Sequence, residues 1–243
     1  NDKTNYQALR HLGILYNDTK KYDKAIQYLT NAIEIAPSIP DAHNNLGLVY
    51  LQQGQPSPAI KAFQKGIRTN PNDSSLHHNL GCAYQTHGSM EEAISEFERV
   101  IELDPKNVDY YYALADLSRI QKKWNNAINY YIKSYEVSSY SLYGLEQALQ
   151  LCLAINDFEK SEEVCALLLK EEPENEKYLS TLRDLAMYNN KFEKALLTIN
   201  ELEKIKGSTV TSLLQKSALY EELNDSLNAL EAVLIAHEKD SLN

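Results

Sequence analysis

Apolar residues return along this chain in the three-and-four rhythm of helices buried on one side. That rhythm itself recurs every 34 residues. A column of small residues reads Ala25, Ala59, Ala93, Ala127, Ser161, Ala195 and Ala229. A leucine column runs Leu12, Leu46, Leu80, Leu114, Ala148, Leu182 and Lys216, and the next position gives Gly13, Gly47, Gly81, Ala115, Leu149, Arg183 and Ser217. Bulky residues keep the same phase at Leu29, Phe63, Phe97, Tyr131, Cys165, Ile199 and Val233. An aromatic column opens with Tyr16, Tyr50 and Tyr84, lapses to Ser118, Cys152 and Ala186, and returns at Tyr220.

These columns predict two helices per period. The Leu-Gly pair falls midway along the first helix, where the missing side chain lets a neighbour approach closely. The small column does the same from the second helix. Pro37, Pro71, Pro105 and Pro173 recur as terminators, with Ser139, Gly207 and Ser241 in the remaining periods. Proline ends a helix because it lacks an N–H and clashes with the preceding turn. Polar residues follow it, as in Pro71-Asn72-Asp73-Ser74, and can cap the next helix.

A 34-residue helical period with these residues resembles the tetratricopeptide repeat. The strongest segments are Leu46-Gly47 with Tyr50, Ala59, Phe63 and Pro71, and Leu80-Gly81 with Tyr84, Ala93, Phe97 and Pro105. The resemblance implies an all-α, right-handed superhelical solenoid of about seven helix-turn-helix repeats. The boundaries read 6–39, 40–73, 74–107, 108–141, 142–175, 176–209 and 210–243, after a leader at 1–5. It implies a protein-interaction scaffold that holds an extended peptide or a helix of a partner in its concave groove. No reaction and no cofactor are expected.

The net charge of −10 argues against a nucleic-acid backbone as partner, and no helix face gathers lysine or arginine with aromatics. No apolar run reaches the ~20 residues that span a bilayer, so direct membrane insertion is not expected. Cys82, Cys152 and Cys165 are odd in number and form no Cys-x-x-Cys pair, so neither a disulfide framework nor a zinc site is suggested. A cytoplasmic location fits, with the periplasm or a membrane-associated complex left open.

Phosphate loops, metalloprotease motifs and nucleophile elbows are all missing from the sequence. His43 and His77 share a column, but helix spacing of roughly 8–10 Å and the lack of a third ligand speak against metal. They read as column fillers. Trp124 stands at the start of a second helix and reads as packing. In Tyr110-Tyr111-Tyr112 one helix cannot bury all three, so Tyr112 is expected to face the groove.

The resemblance places the first helices on the groove, and with them Arg10, His11, Asn44, Asn45, His78, Asn79, Gln85, Tyr112 and Asp116. Amides both donate and accept, which suits capture of a peptide backbone. Asn45 and Asn79 resemble the asparagines of peptide-reading grooves in this family. A carboxylate clamp of the chaperone-tail type is not expected: Arg10 and Asn45 fit its positions, whereas Ile14, Ser75 and Asn79 do not. Asp109, Asp116, Glu146, Glu221 and Glu222 make the later groove acidic, which points to a neutral or basic ligand.

Two features keep other readings open. The run from Val137 to Gly144 loses its terminating proline and reads either as a drifted loop or as a hinge. No polar capping helix follows the last repeat. That predicts a segment excised from a longer protein, or an end that docks on another subunit or a second copy. The rivals to a simple adaptor are therefore a substrate-recruiting arm of a larger enzyme, such as a glycosyltransferase, and a self-assembling structural subunit.

Overall fold

The computed structural model describes residues 2–138 and 141–241. Ser139 and Tyr140 of the suggested hinge, Asn1 of the leader, and the closing Asn243 lie outside the described residues. Among those described, fourteen α-helices and no strand form seven pairs. They are α1 (Asp2–Asp18) with α2 (Tyr22–Ile35), α3 (Pro40–Gln52) with α4 (Pro56–Thr69), and α5 (Ser74–His87) with α6 (Met90–Leu103). Then come α7 (Val108–Ile120) with α8 (Trp124–Val137), and α9 (Tyr143–Ala154) with α10 (Phe158–Glu171). The last are α11 (Glu176–Tyr188) with α12 (Phe192–Lys206), and α13 (Val210–Glu222) with α14 (Ser226–Ser241).

The helices gather into two compact units, Asn1–Tyr130 and Tyr131–Asn243. In the first, each helix packs on the next from α1 to α7, and the first helices α1, α3 and α5 also touch in sequence. In the second, α9 to α14 pack in the same consecutive way.

The columns are the core. From Ala25 to Ala195 the small residues have no exposed surface, and Ala229 has almost none. Leu29, Phe63, Phe97, Tyr131, Cys165 and Ile199 are buried as well. The Leu-Gly column packs against them within each pair: a β-carbon added at Gly81 would stand 2.8 Å from the Phe97 ring, and one at Gly13 would be 2.5 Å from Leu29. Two members depart from the expected burial. Leu12 is 38% exposed on α1, and Val233 is 40% exposed on α14 beside the still more open Leu227, Leu230 and Leu234. Helix α1 packs on α2 and α3, and α14 packs on α13.

Local signals end and start the helices. Ser75 and Leu76 N–H donate to Asp73, Asp109 N–H to Asn107, and Lys177 and Tyr178 N–H to Asn175. Thr209 and Ser212 form a reciprocal capping box. Pro40 and Pro56 open α3 and α4, where their missing N–H would be unpaired anyway.

Inside each pair the turn has one left-handed residue, again every 34 positions: Lys20, Gly54, Gly88, Lys122, Asn156, Asn190 and Asn224. The residue after it donates back to a carbonyl five positions earlier, as Gln55 does to Tyr50 and Ser89 to Tyr84. This is the bonding of a left-handed helix stop.

Candidate functional site

The polar residues expected to meet a partner all fall in the first unit, on α1, α3, α5 and α7. Helix α3 carries Asn44 and Asn45 half-buried, and α5 carries His78 and Asn79 in the matching columns. The structure joins them diagonally. Asn79 Nδ2 donates to Asn44 Oδ1 at 2.8 Å, across the contact between α3 and α5. That bond fixes both amides and leaves Asn44 Nδ2 as a donor and Asn79 Oδ1 as an acceptor. Asn45 Nδ2 beside them is shielded and has no partner.

The remaining candidates are less closely grouped. Arg10 donates to Gln7 Oε1 on its own helix and lies 3.8 Å from Asp41 of α3, which ties α1 to α3. His11 and Gln85 are exposed. Asp116 pairs with Arg119 one turn along α7 at 3.3 Å. Of the three consecutive tyrosines, Tyr111 is the buried one, and Tyr110 and Tyr112 are half-buried.

His78 is held by packing. Its ring lies 5.9 Å from Phe97 and 5.4 Å, edge-on, from Tyr110. Its Nε2 is 3.6 Å from Cys82 Sγ. Burial lowers the His78 pKa and raises that of Cys82. Both groups are thereby kept neutral, the opposite of the thiolate–imidazolium pair that makes a cysteine nucleophilic. Cys152 and Cys165 sit in the core with thiols pushed by burial to about 12 and about 11.

His43 and His77 occupy their column as expected, with a role the column did not reveal. His43 Nε2 donates to Pro37 O at 3.2 Å, and His77 Nε2 donates to Pro71 O at 3.0 Å. Tyr111, next in the column, donates its hydroxyl to Pro105 O at 3.1 Å. Each ring satisfies the carbonyl of its terminating proline, six residues back. Among the described residues, no three histidines, cysteines or carboxylates come together as a metal site would require. No helix there is long and apolar enough to cross a membrane.

The amide bridge itself was not legible from columns, because Asn44 and Asn79 belong to different ones. Its signal is a diagonal: polar residues 35 apart on successive first helices.

Three tetratricopeptide repeat family models match residues 40–73, 74–107 and 96–129, and a fourth, a TPR repeat model, matches 13–54. No curated protein matches the chain. Among solved structures, a tetratricopeptide repeat protein from Parabacteroides merdae ATCC 43184 is 17% identical, with 97% of this chain and 93% of that one covered and a TM-score of 0.57. The pilF protein of Pseudomonas aeruginosa is 20% identical over 91% of this chain and 99% of its own, with a TM-score of 0.52. The Naa15/Naa10 complex bound to HypK-THB is 14% identical over 93% of this chain and 35% of its own, with a TM-score of 0.62. At these identities the likeness is one of fold.

Proposed function

The chain belongs to the tetratricopeptide repeat family, and from that premise we propose that it is a non-catalytic interaction module. It holds an extended segment of a partner protein along the first helices of its N-terminal unit. Repeats of this family are in general interaction modules, and the Naa15 neighbour is a component of a complex by its description.

One observation carries the reading: the bond from Asn79 to Asn44. It leaves the amide N–H of Asn44 as a donor and the amide oxygen of Asn79 as an acceptor on adjacent helices. An extended peptide offers the complementary pair, one C=O and one N–H per residue. Backbone capture by amides tolerates sequence variation, and the neighbouring side chains then select. Asp41, Asp109 and Asp116 on the same set of helices favour a neutral or basic segment.

The test is affinity capture from the native cell extract, with the wild-type chain beside Asn45→Ala/Asn79→Ala. Circular dichroism checks that the variant keeps its helix content. Proteins sharing a common segment should disappear from the variant's capture. Identical captures would overturn the reading.

A further inference from the structure

A cavity of about 300 Å³ opens between α2, α3 and α4, away from the amide pair. Its walls include Thr30 of α2, His43 and Tyr50 of α3, and Lys61, Ala62 and Lys65 of α4. The internal repeat shows what usually fills this place.

One repeat later, between α4, α5 and α6, side chains of the protein itself reach across the equivalent place. Gln64 Nε2 donates to Tyr84 OH at 2.9 Å, and Glu96 Oε2 lies 2.6 Å from His77 Nδ1. One repeat further, Tyr130 donates its hydroxyl to Glu98 Oε1 at 2.5 Å. In the first of these spaces, Thr30 stands in the column of Gln64 and Glu98, and Ala62 stands in the column of Glu96 and Tyr130. Both are too short to bridge it.

The cost of that vacancy falls on His43. Its Nε2 carries the proton that bonds Pro37 O, so Nδ1 presents a lone pair. Nδ1 has no partner, and the residue is only 5% exposed. In its twin, His77, the same nitrogen meets the carboxylate that grows from the Ala62 column. Lys61 and Lys65 sit one turn apart on α4, both exposed, and form no ion pair among the described residues. Arg99, which replaces Lys65 one repeat later, is already engaged by Glu102 and Asn72.

We infer that this cavity binds a carboxylate carried on a short aliphatic stem, in the place and manner of the Glu96 side chain. The stem would lie against Ile33 and Leu46, and the carboxylate would sit between His43 and the two lysines. Two sources share this chemistry: a glutamate side chain of a partner protein, and a free short-chain acid.

Binding is coupled to a proton. A lone pair on Nδ1 opposes a carboxylate, so occupancy draws one proton from solvent onto Nδ1. The ring would then donate from both nitrogens, to the ligand carboxylate and to Pro37 O. When the cavity is empty, burial above all, and then the Lys65 charge against the help of the Pro37 carbonyl, keeps the ring neutral. Lys61, Lys65 and Tyr50 are the titratable groups lining the space besides His43, and α2 contributes none. Affinity therefore rises as pH falls through the histidine range, until the ligand's own carboxylate protonates.

The experiment is an NMR titration of the full ¹⁵N-labelled chain with glutarate, and separately with acetyl-Leu-Glu-Leu-amide, at about pH 7.5 and about pH 6. Saturable shifts centred on His43, Tyr50 and Ala62 with either probe, several-fold tighter at the lower pH, support the site. The probe that binds more tightly identifies the source. Lys61→Gln/Lys65→Gln should weaken binding about fivefold. Ala62→Glu, which copies the next repeat, should abolish it. His43→Leu, which copies Leu145 and Leu179, should remove its pH dependence. Non-saturating shifts with both probes would overturn the inference, as would unchanged binding in Ala62→Glu or pH-independent affinity in the wild type. Asn45→Ala/Asn79→Ala leaves this cavity intact, so failure here and failure of the amide-face reading are separable.

Discussion

The carboxylate of Glu162 on α10 accepts a hydrogen bond from the ammonium of Lys194 on α12, one repeat along. Lys191 Nζ and Asn189 Nδ2 complete the cluster, each donating to Glu162 Oε2 at 3.0 Å. Glu162 is buried, in a column filled elsewhere by Ile26, Ile60, Ile94, Ile128, Leu196 and Leu230.

Replacing a satisfied buried ion by a shape-matched apolar group is often neutral or stabilising, whereas removing one partner strands the charge. Glu162→Ile should therefore change stability by no more than about 1 kcal/mol, or increase it. Lys194→Met should lower stability by about 1–2 kcal/mol, moderated by the remaining Lys191 and by the solvent exposure of both lysines. Urea unfolding of the two variants checks this. Equal destabilisation would show that the acid is required for packing.

The same cluster sets an acid limit. Burial alone would raise the Glu162 pKa, but the bonds from Lys194, Asn189 and Lys191 outweigh it and hold the group at about 2. A carboxylate depressed on folding contributes stability that is complete above its unfolded value and is lost as pH falls through the folded one. Urea midpoints should fall between about pH 4.5 and about pH 2 in the wild type, and less steeply in Glu162→Ile.

His43 acts in a higher window. Burial, above all, lowers its pKa below the ordinary histidine value. The unfolded chain then binds more protons in the interval between the two values, so stability is present above about pH 6.5 and declines as pH falls below it. His43→Leu should flatten that part of the stability profile. An unchanged profile in the variant would assign the effect to other groups.

The turn column stores backbone strain in two repeats. Lys20 and Lys122 hold φ of 57° and 60°, where a side chain costs about 1–2 kcal/mol and glycine costs little. Lys20→Gly and Lys122→Gly should each raise stability by about 1 kcal/mol. Gly54→Ala should lower it by a similar amount, from backbone conformation alone, since nothing stands within 4 Å of the added carbon. Thermal unfolding of the three variants tests the sign at each position.

The Gly and bulky columns are coupled by volume. Gly81 stands against Phe97, whereas the corresponding pair in the fifth repeat is Leu149 with Cys165. Gly81→Leu should destabilise by about 1–3 kcal/mol through overpacking. Adding Phe97→Cys should recover part of that loss, with a coupling of at least about 0.5 kcal/mol in a double-mutant cycle. Additive effects would mean that the two columns do not share one space.

Much of this protein was determined by its sequence alone. The helix pairs follow from columns such as Ala25 to Ala229 and Leu29 to Ile199, because a steric role repeated at a constant period leaves a constant trace. The proline terminators and the Asp73 and Asn107 caps are equally local. The left-handed turn column was present but disguised, since Lys20 and Lys122 interrupt its glycines and asparagines. Tertiary structure decided whatever depends on side chains from different helices. Asn79 reaches Asn44 only because α3 and α5 lie side by side. His43 and His77 are one residue type in one column, yet Nδ1 is paired in the second ring and unpaired in the first. That difference comes from residues 19 positions further on, Ala62 and Glu96, which reach the ring from the second helix of each pair. Periodicity records what every repeat must do to stack; packing between helices decides where a single repeat differs.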